Sequence, residues 1–163
     1  MDPDIRVVPV QEEDLAYLLS GDDAFSTATG MTVAQGYLAF PEALEFTAER
    51  LNLGMDPAWS THLIVDSMDN ELVGMGGFNG PPELGSVELG LSIAPARQGE
   101  GIGAAAVRAL VASAAQRGAT MVYAFTVAEP GPSPSMLIRC GFTKVAEIAE
   151  SDDGPLWRWE VRC

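Results

Sequence analysis

The segment from Ser86 to Val127 constrains the fold more than any other part of the chain. An apolar run, SVELGLSI, leads into the glycine-rich stretch ARQGEGIGAAA, after which apolar residues recur at helical spacing through residues 101–117. Gly118 ends that pattern, and a second apolar run, ATMVYAFTV, is typical of a buried strand. A strand, a helix and a strand in this order predict a parallel crossover.

The flanking segments require antiparallel pairing instead. The stretch THLIVDSMDNELVGMGGF predicts a hairpin that turns at Asp69 and Asn70, and FTKVAEI with LWRWEV predicts two closing strands. IRVVPV adds a first strand, and helices are predicted for QEEDLAYLLSG, PEALEFTAERLNLG and SPSMLIRCG, while residues 22–39 are ambiguous. We therefore expect one α/β (α+β) domain over residues 1–163. Its mixed, mostly antiparallel central sheet has six to seven strands, with helices on both faces.

The charge of the chain is large, negative and unevenly distributed. The net charge is −14, and residues 1–96 contain sixteen Asp and Glu but only two cations, Arg6 and Arg50. Nucleic-acid partners are excluded because their binding surfaces are basic, whereas an acidic surface would attract a cationic partner or serve only solubility. No apolar run predicts a membrane span and no signal peptide is evident, so we expect a cytoplasmic location. Two cysteines and one histidine predict no metal site.

The glycine-rich stretch has three interpretations. Residues 101–106 match G-x-G-x-x-A, which is typical of dinucleotide binding when an acidic residue follows about 20 positions later. The stretch lies past the middle of the chain, however, and Met121–Thr126 offers no carboxylate. A turn that only packs a helix against a sheet needs fewer glycines. The pattern therefore favours a backbone cradle for phosphate, in which the free N–H groups of the helix start face the anion.

These residues resemble the central motif of the GNAT family of acyl-CoA-dependent N-acyltransferases. In that motif a strand and a proline precede Arg or Gln, then x-x-G-x-G/A and a helix, and here Pro95 and Gln98 stand in those places before Gly101 and Gly103. The preceding VELG is similar to the family's V-E-x-G, and Gly141-Phe142 resembles the end of a second motif. The resemblance covers residues 60–148 well and implies the GNAT fold with acetyl-CoA as cofactor.

The resemblance also implies roles for individual residues in cofactor binding. The backbone at Leu91 and Ile93 would pair with the pantetheine arm as an added strand does. The pyrophosphate would be bound by N–H groups of the cradle, which comprises Gln98, Gly99, Gly101, Ile102, Gly103 and Ala104.

Catalysis requires a base, because an alkyl amine with a pKa of about 10 is mostly protonated near neutral pH. Glu88, in the V-E-x-G position, resembles the family's catalytic glutamate, although an ordinary strand carboxylate is the alternative. Strand alternation puts it on the opposite face from Val87 and Leu89, and the backbone near Leu91 could supply donors to the reacting oxygen.

The acid that protonates the leaving thiolate is in question. The family's tyrosine position is Leu137 here, and Pro130 or Pro132 stands where the family has an asparagine. Ser133 aligns with a serine of some subfamilies and could bind coenzyme A, donate a proton or cap its helix. His62 is more often a structural histidine than a base in such a position, and Trp157 with Trp159 indicates packing.

The resemblance and the charge together predict a reaction. We expect transfer of an acetyl group to a primary amine of a cationic small molecule or peptide N-terminus. The acidic first part of the chain would line much of the acceptor side. A non-catalytic acyl-CoA-binding or regulatory module is the alternative, suggested by the missing tyrosine and asparagine, and a homodimer is possible.

Overall fold

A computed structural model describes residues 3–38, 41–149 and 151–163. The strands are β1 (Ile5–Pro9), β2 (Thr32–Val33), β3 (Thr61–Asp66), β4 (Glu71–Phe78), β5 (Ser86–Ile93), β6 (Met121–Val127), β7 (Thr143–Ile148) and β8 (Leu156–Arg162). The helices are α1 (Glu12–Ser20), α2 (Asp22–Thr29), α3 (Glu42–Asn52), α4 (Ile102–Gln116) and α5 (Pro132–Arg139). Single turns of 3-10 helix lie at Pro57–Trp59 and Pro95–Arg97.

The strands form one mixed sheet in the order β1-β3-β4-β5-β6-β8-β7, with β2 paired to β4 outside that path. Only the β5–β6 and β2–β4 pairs are parallel among the described strands. The predicted α/β class and the mostly antiparallel sheet are thus confirmed. The seven strands of the main path agree with the expected number, and β2 adds an eighth.

The eighth strand comes from the segment whose sequence is ambiguous. Residues 22–39 contain α2, which ends at Gly30 in the left-handed conformation with φ +77°, and then β2. Two residues are too few to show the alternation that marks a strand, so the sequence could not predict β2. The last predicted position of this segment, residue 39, lies outside the described residues.

The sheet opens in its middle because β5 loses one of its neighbours. β4 pairs with β5 as far as Ile93, whereas the parallel register of β5 with β6 ends at the pair Glu88 and Tyr123. Residues 89–93 therefore have a paired strand on one side only. Two hydrophobic cores result, one around β3 and β4 with α1–α3, the other around β5, β6 and β8 with α4 and α5.

Burial distinguishes the centre of the sheet from its edge. Leu63, Ile64 and Val65 are buried in succession, which requires cover on both faces of β3. All but the last residue of β7 are exposed. None of the described helices is long and apolar enough to cross a bilayer.

Two glycines in β4 let β5 approach closely. A Cβ at Gly76 would lie 2.5 Å from the Cβ of Leu91, and one at Gly74 would lie 2.3 Å from the carbonyl oxygen of Ser92. Real side chains do not tolerate such contacts. These glycines therefore set the position of the β5 segment that has lost its second neighbour.

Candidate functional site

The glycine loop, residues 98–104, joins β5 to α4 and ends at the N-terminus of that helix. Gly99 and Gly101 have φ of +82° and +83°, a left-handed conformation that side-chain-bearing residues rarely adopt. A Cβ on Gly99 would meet no atom within 4 Å, so the backbone conformation alone requires glycine there. At Gly103 a Cβ would lie 2.7 Å from the Sδ of Met136, so that flexible side chain would have to move.

The start of α4 presents unpaired N–H groups. The first hydrogen bond of the helix runs from the N–H of Ala105 to the carbonyl of Gly101 at 3.1 Å. The N–H groups of Ile102, Gly103 and Ala104 consequently have no helical partner. The first turn contains no acidic residue, so the positive end of the helix dipole is not neutralised there. These features fit a pyrophosphate, as the glycine pattern predicts.

Arg97 fixes the base of the glycine loop to the β3–β4 hairpin. Its Nη2 lies 2.5 Å from Oδ2 of Asp66, its Nη1 donates to Glu71, and its Nε lies 3.2 Å from Oε2 of Glu100. Asp69 is 3.6 Å away. The hydrogen bond from Arg97 lowers the pKa of Asp66, and the same bond raises the pKa of Arg97. The loop is therefore held from outside its own segment.

The open segment of β5 continues directly into this loop. The side-chain amide of Gln98 donates to the carbonyl of Ile93 at 3.0 Å, which connects the loop to the strand end. Leu91 and Ile93 are half-buried in the segment that faces the opening. A backbone edge without a partner strand suits an extended ligand such as pantetheine.

A cleft of about 460 Å³ lies beside the open β5 segment, on the side of β4 and not of β6. It lies between α3, the ends of β3 and β4, and residues 88–92 of β5. Its apolar lining includes Leu38, Phe46, Met75, Phe78 and Leu91. Arg50 and Glu88 are its two charged lining residues within the described ranges.

The two charged groups of the cleft are connected through Asn79. Nη1 of Arg50 donates to Oδ1 of Asn79 at 3.0 Å, and Nδ2 of Asn79 donates to Oε1 of Glu88 at 3.4 Å. The backbone N–H of Asn79 also donates to the carbonyl of Glu88 at 3.1 Å. The guanidinium also lies over the Phe46 ring, 5.0 Å from its centroid. Glu88 is half-buried between the buried Val87 and Leu89, as strand alternation predicts.

The remaining candidate acid is not in the cleft. Ser133 is exposed in the first turn of α5, and its helix is capped by Gly131 without any side-chain hydrogen bond. The interpretation that Ser133 caps α5 is therefore wrong, because the N-cap is Gly131, two residues before Ser133. Leu137 is 2% exposed in the second core, which explains why a leucine occupies that position.

His62, Trp157 and Trp159 pack against other side chains of the sheet and do not line the cleft. His62 is buried, its Nδ1 lies 3.1 Å from the carbonyl of Ser60, and its ring packs edge-on against Phe78. Burial lowers its pKa, and it does not line the cleft. Trp159 donates from Nε1 to Thr126 at 2.9 Å, and Trp157 packs beside it.

The sequence alone does not identify Arg50 and Asn79 as residues of the cleft. Arg50 carried a signal, since it is one of two cations in residues 1–96 and shares a helix face with Ala43, Phe46 and Thr47. Asn79 follows β4 immediately and carried no signal of its own. Its importance depends on the register that brings the end of β4 beside Glu88.

Comparison with family models identifies the chain. Residues 33–142 match the model described as the acetyltransferase (GNAT) family. The chain belongs to this family, as the glycine loop and the strand before it predict. It is accordingly an acyl-CoA-dependent N-acetyltransferase with acetyl-CoA as cosubstrate. A comparison with curated protein sequences gives no match.

Solved structures agree on the fold at low sequence identity. A chimera of the spermidine N-acetyltransferase SpeG from Vibrio cholerae with hSSAT is 19% identical with a TM-score of 0.69, over 97% of this chain and 95% of that one. RimL, a ribosomal-protein alpha-N-acetyltransferase in complex with coenzyme A, is 16% identical with a TM-score of 0.71, over 97% and 93%. The yncA protein from Salmonella typhimurium, with its cofactor acetyl-CoA, is 18% identical with a TM-score of 0.64, over 97% and 93%.

Proposed function

We propose that the chain transfers the acetyl group of acetyl-CoA to a primary amine that lies in the cleft beside Glu88. The observation that carries this proposal is the position of Glu88. It is the last residue of β5 that pairs with β6, at the point where the strands separate, and it also lines the cleft. The opening for the cofactor and the cleft for the amine therefore meet at one carboxylate.

The glycine loop and the open strand hold the cofactor in this proposal. The N–H groups of Ile102, Gly103 and Ala104, with those of Gly99 and Gly101, donate to the pyrophosphate. The N–H of Gln98, also expected to bind it, already donates to the carbonyl of Pro95 at 3.3 Å. The backbone at Leu91 and Ile93 pairs with the pantetheine arm. When bound, acetyl-CoA supplies a thioester whose carbonyl carbon forms the new C–N bond as its C–S bond breaks.

Glu88 accepts the proton that the ammonium must lose, directly or through a water molecule. Asn79 orients this carboxylate by donating to Oε1. N–H donors of the strand near Leu91 stabilise the negative charge that develops on the acetyl oxygen. The thiolate, with a thiol pKa of about 8.5, can leave without a dedicated acid. Ser133, exposed in the first turn of α5, stays a candidate for binding coenzyme A or for protonating the thiolate.

The cationic acceptor expected from the sequence receives no support from the cleft lining. Glu42, Glu45 and Glu49 are exposed on α3, on a different side of the helix from Ala43 and Arg50, which line the cleft. The negative charge of the first part of the chain is thus directed mainly to solvent. The proposed function therefore requires a primary amine on the acceptor but no additional positive charge.

The test measures thiol release from acetyl-CoA with a panel of amines, and identifies acetylated products by mass. We expect Glu88→Gln to lower kcat by about 10²- to 10⁴-fold for every accepted amine, the usual contribution of a general base. The loss should diminish at high pH, where the free amine is already deprotonated. Glu83→Gln is the matched control, because Glu83 is exposed just before β5. Unchanged turnover of Glu88→Gln at every pH would remove Glu88 from the mechanism.

A further inference from the structure

Arg50 has an unusual environment for a cation in a strongly acidic chain. It is half-buried in the cleft wall, and among the described residues no carboxylate oxygen lies within 4.0 Å of its guanidinium. Arg97, in contrast, contacts four carboxylates, and Arg158 lies 2.9 Å from Glu160. Arg50 therefore retains a charge that the protein itself does not neutralise by direct contact.

The guanidinium also retains hydrogen-bonding capacity. A guanidinium has five N–H donors, and one of those on Arg50 is used by the amide oxygen of Asn79. The Phe46 ring supports the plane of the group. A planar guanidinium with free donors in a fixed position suits a carboxylate, which it can bind through two parallel hydrogen bonds.

Asn79 sets the distance between this cation and the proposed base. Its amide oxygen faces Arg50 and its amide nitrogen faces Glu88, so one amide group separates the two charges. An α-amino acid has its own opposite charges in a comparable arrangement, with the amine nitrogen and a carboxylate oxygen about 3 Å apart. A hydrogen bond at either end would let such a molecule extend from the guanidinium to Glu88.

Two of the other polar side chains that line the cleft, Thr47 and Thr61, already have hydrogen-bond partners. The hydroxyls of Thr47 and Thr61 lie 2.7 Å apart, and Thr47 donates to the carbonyl of Ala43 at 2.7 Å. Thr61 consequently donates to Thr47. The rest of the wall is mainly apolar, formed by side chains such as Leu38, Met75 and Phe78. An aliphatic side chain would be accommodated there.

We propose that the acetyl acceptor is an α-amino acid with an apolar side chain, whose carboxylate binds Arg50 while its amine faces Glu88. This proposal rests on the proposed function and names the substrate class for that site. Arg50 is then a specificity-determining residue that contacts the substrate but takes no part in proton transfer.

The experiment compares three acceptors that differ at one group: leucine, leucinamide and isopentylamine, which is leucine without its carboxylate. Wild-type enzyme is expected to acetylate leucine with a kcat/KM at least about tenfold above the other two, as for a charge-assisted hydrogen bond. Arg50→Gln should raise the KM for leucine by about 10- to 100-fold and leave the KM for isopentylamine nearly unchanged. Arg50→Lys should recover part of the preference, because it keeps the charge but loses the planar group.

Arg6→Gln is the matched control, since Arg6 is the other cation of residues 1–96 and is exposed on β1. It changes the net charge equally and should keep the preference for leucine. Binding of the three ligands to the complex with coenzyme A, measured by calorimetry, gives a readout that does not depend on turnover.

The outcomes separate this proposal from the proposed function. If wild-type enzyme shows no preference for leucine in turnover or in binding, or if Arg50→Gln weakens leucine and isopentylamine equally, the assignment of Arg50 is overturned. If coenzyme A binds and no amine is acetylated, the proposed function fails, whereas a preference for leucine that is lost in Arg50→Gln would still support the carboxylate site.

Discussion

Replacing Arg97 by methionine removes the cation that connects the glycine loop to the β3–β4 hairpin. The variant keeps most of the side-chain volume but leaves Asp66, Asp69, Glu71 and Glu100 without their shared partner. The Asp66 side chain is 8% exposed, so water cannot easily take the place of the guanidinium. We expect both the folded state and the cofactor loop to be destabilised.

The expected loss in the free energy of unfolding follows from the surroundings of Asp66. Removing one partner of a buried ion pair costs about 3–5 kcal/mol, and a hydrogen bond to a charged group contributes about 1.5–3 kcal/mol. Asp66 keeps backbone donors at Met68, whose N–H lies 3.0 Å away, and at Asp69, and Arg97 is partly solvated at 16% exposure. We therefore expect a loss of about 2–4 kcal/mol in the free energy of unfolding near pH 7.

The loss should depend on pH in a defined direction. The hydrogen bond from Arg97 lowers the folded-state pKa of Asp66 below its ordinary value. The stabilisation is therefore complete above the unfolded pKa of about 3.9 and is lost as the pH falls through the folded pKa. The difference between wild type and Arg97→Met should be constant near neutrality and should shrink below about pH 4.

Urea unfolding, followed by tryptophan fluorescence, measures this difference, and calorimetry measures the Kd for coenzyme A in the same variants. Adding Asp66→Asn to Arg97→Met should recover part of the stability, because the unpaired buried charge is removed. Arg117→Met, at an exposed position on the C-terminal side of α4, is the control and should change stability by no more than about 0.5 kcal/mol. A loss below that value for Arg97→Met would refute the reasoning.

Three further predictions concern single positions. Burial lowers the pKa of His62. The contribution of the neutral ring to stability is therefore complete above about pH 6.5 and is lost at lower pH. NMR titration of this histidine checks the prediction, and a pKa at or above 6.5 would contradict it. Gly101→Ala, at φ +83°, should lower the free energy of unfolding by about 1–2 kcal/mol and weaken coenzyme A binding in calorimetry. Gly54→Ala, at φ +90° outside the loop, should lower the free energy of unfolding by a similar amount and leave the affinity for coenzyme A unchanged. Leu137→Ala should cost about 2–5 kcal/mol in urea unfolding, because Leu137 is a core residue, and a cost under about 0.5 kcal/mol would contradict that.

The sequence predicts the glycine loop and its helix better than the cleft beside Glu88. Gly99 and Gly101 occur where the backbone needs a left-handed conformation, and α4 follows with regular apolar spacing, so local rules suffice. The Arg97 cluster joins residues about 30 positions apart, and no local pattern predicts that contact. Likewise, β2 is too short to show alternation, and α2 has no regular apolar spacing because Phe25 is its one buried residue.

The lining of the proposed acceptor cleft depends on side-chain direction and strand register. The net charge of residues 1–96 suggests an acidic cleft, but helical geometry directs Glu45 and Glu49 of α3 to solvent while Arg50 lines the cleft. Asn79 reaches Glu88 only because β4 and β5 are paired in the observed register. Counting charges along a sequence cannot reproduce either effect.

The separation of β5 from β6 has a consequence for the energetics of the whole molecule. Three residue pairs, from Ser86–Met121 to Glu88–Tyr123, are the parallel ladder that joins the two halves of the sheet. If the pantetheine arm occupies the opening, the cofactor takes the place of the missing backbone pairing and connects the two cores. Any ligand that binds only the folded state adds about 2.7 kcal/mol at 100 times its Kd. The free energy of unfolding would then rise with the concentration of acetyl-CoA.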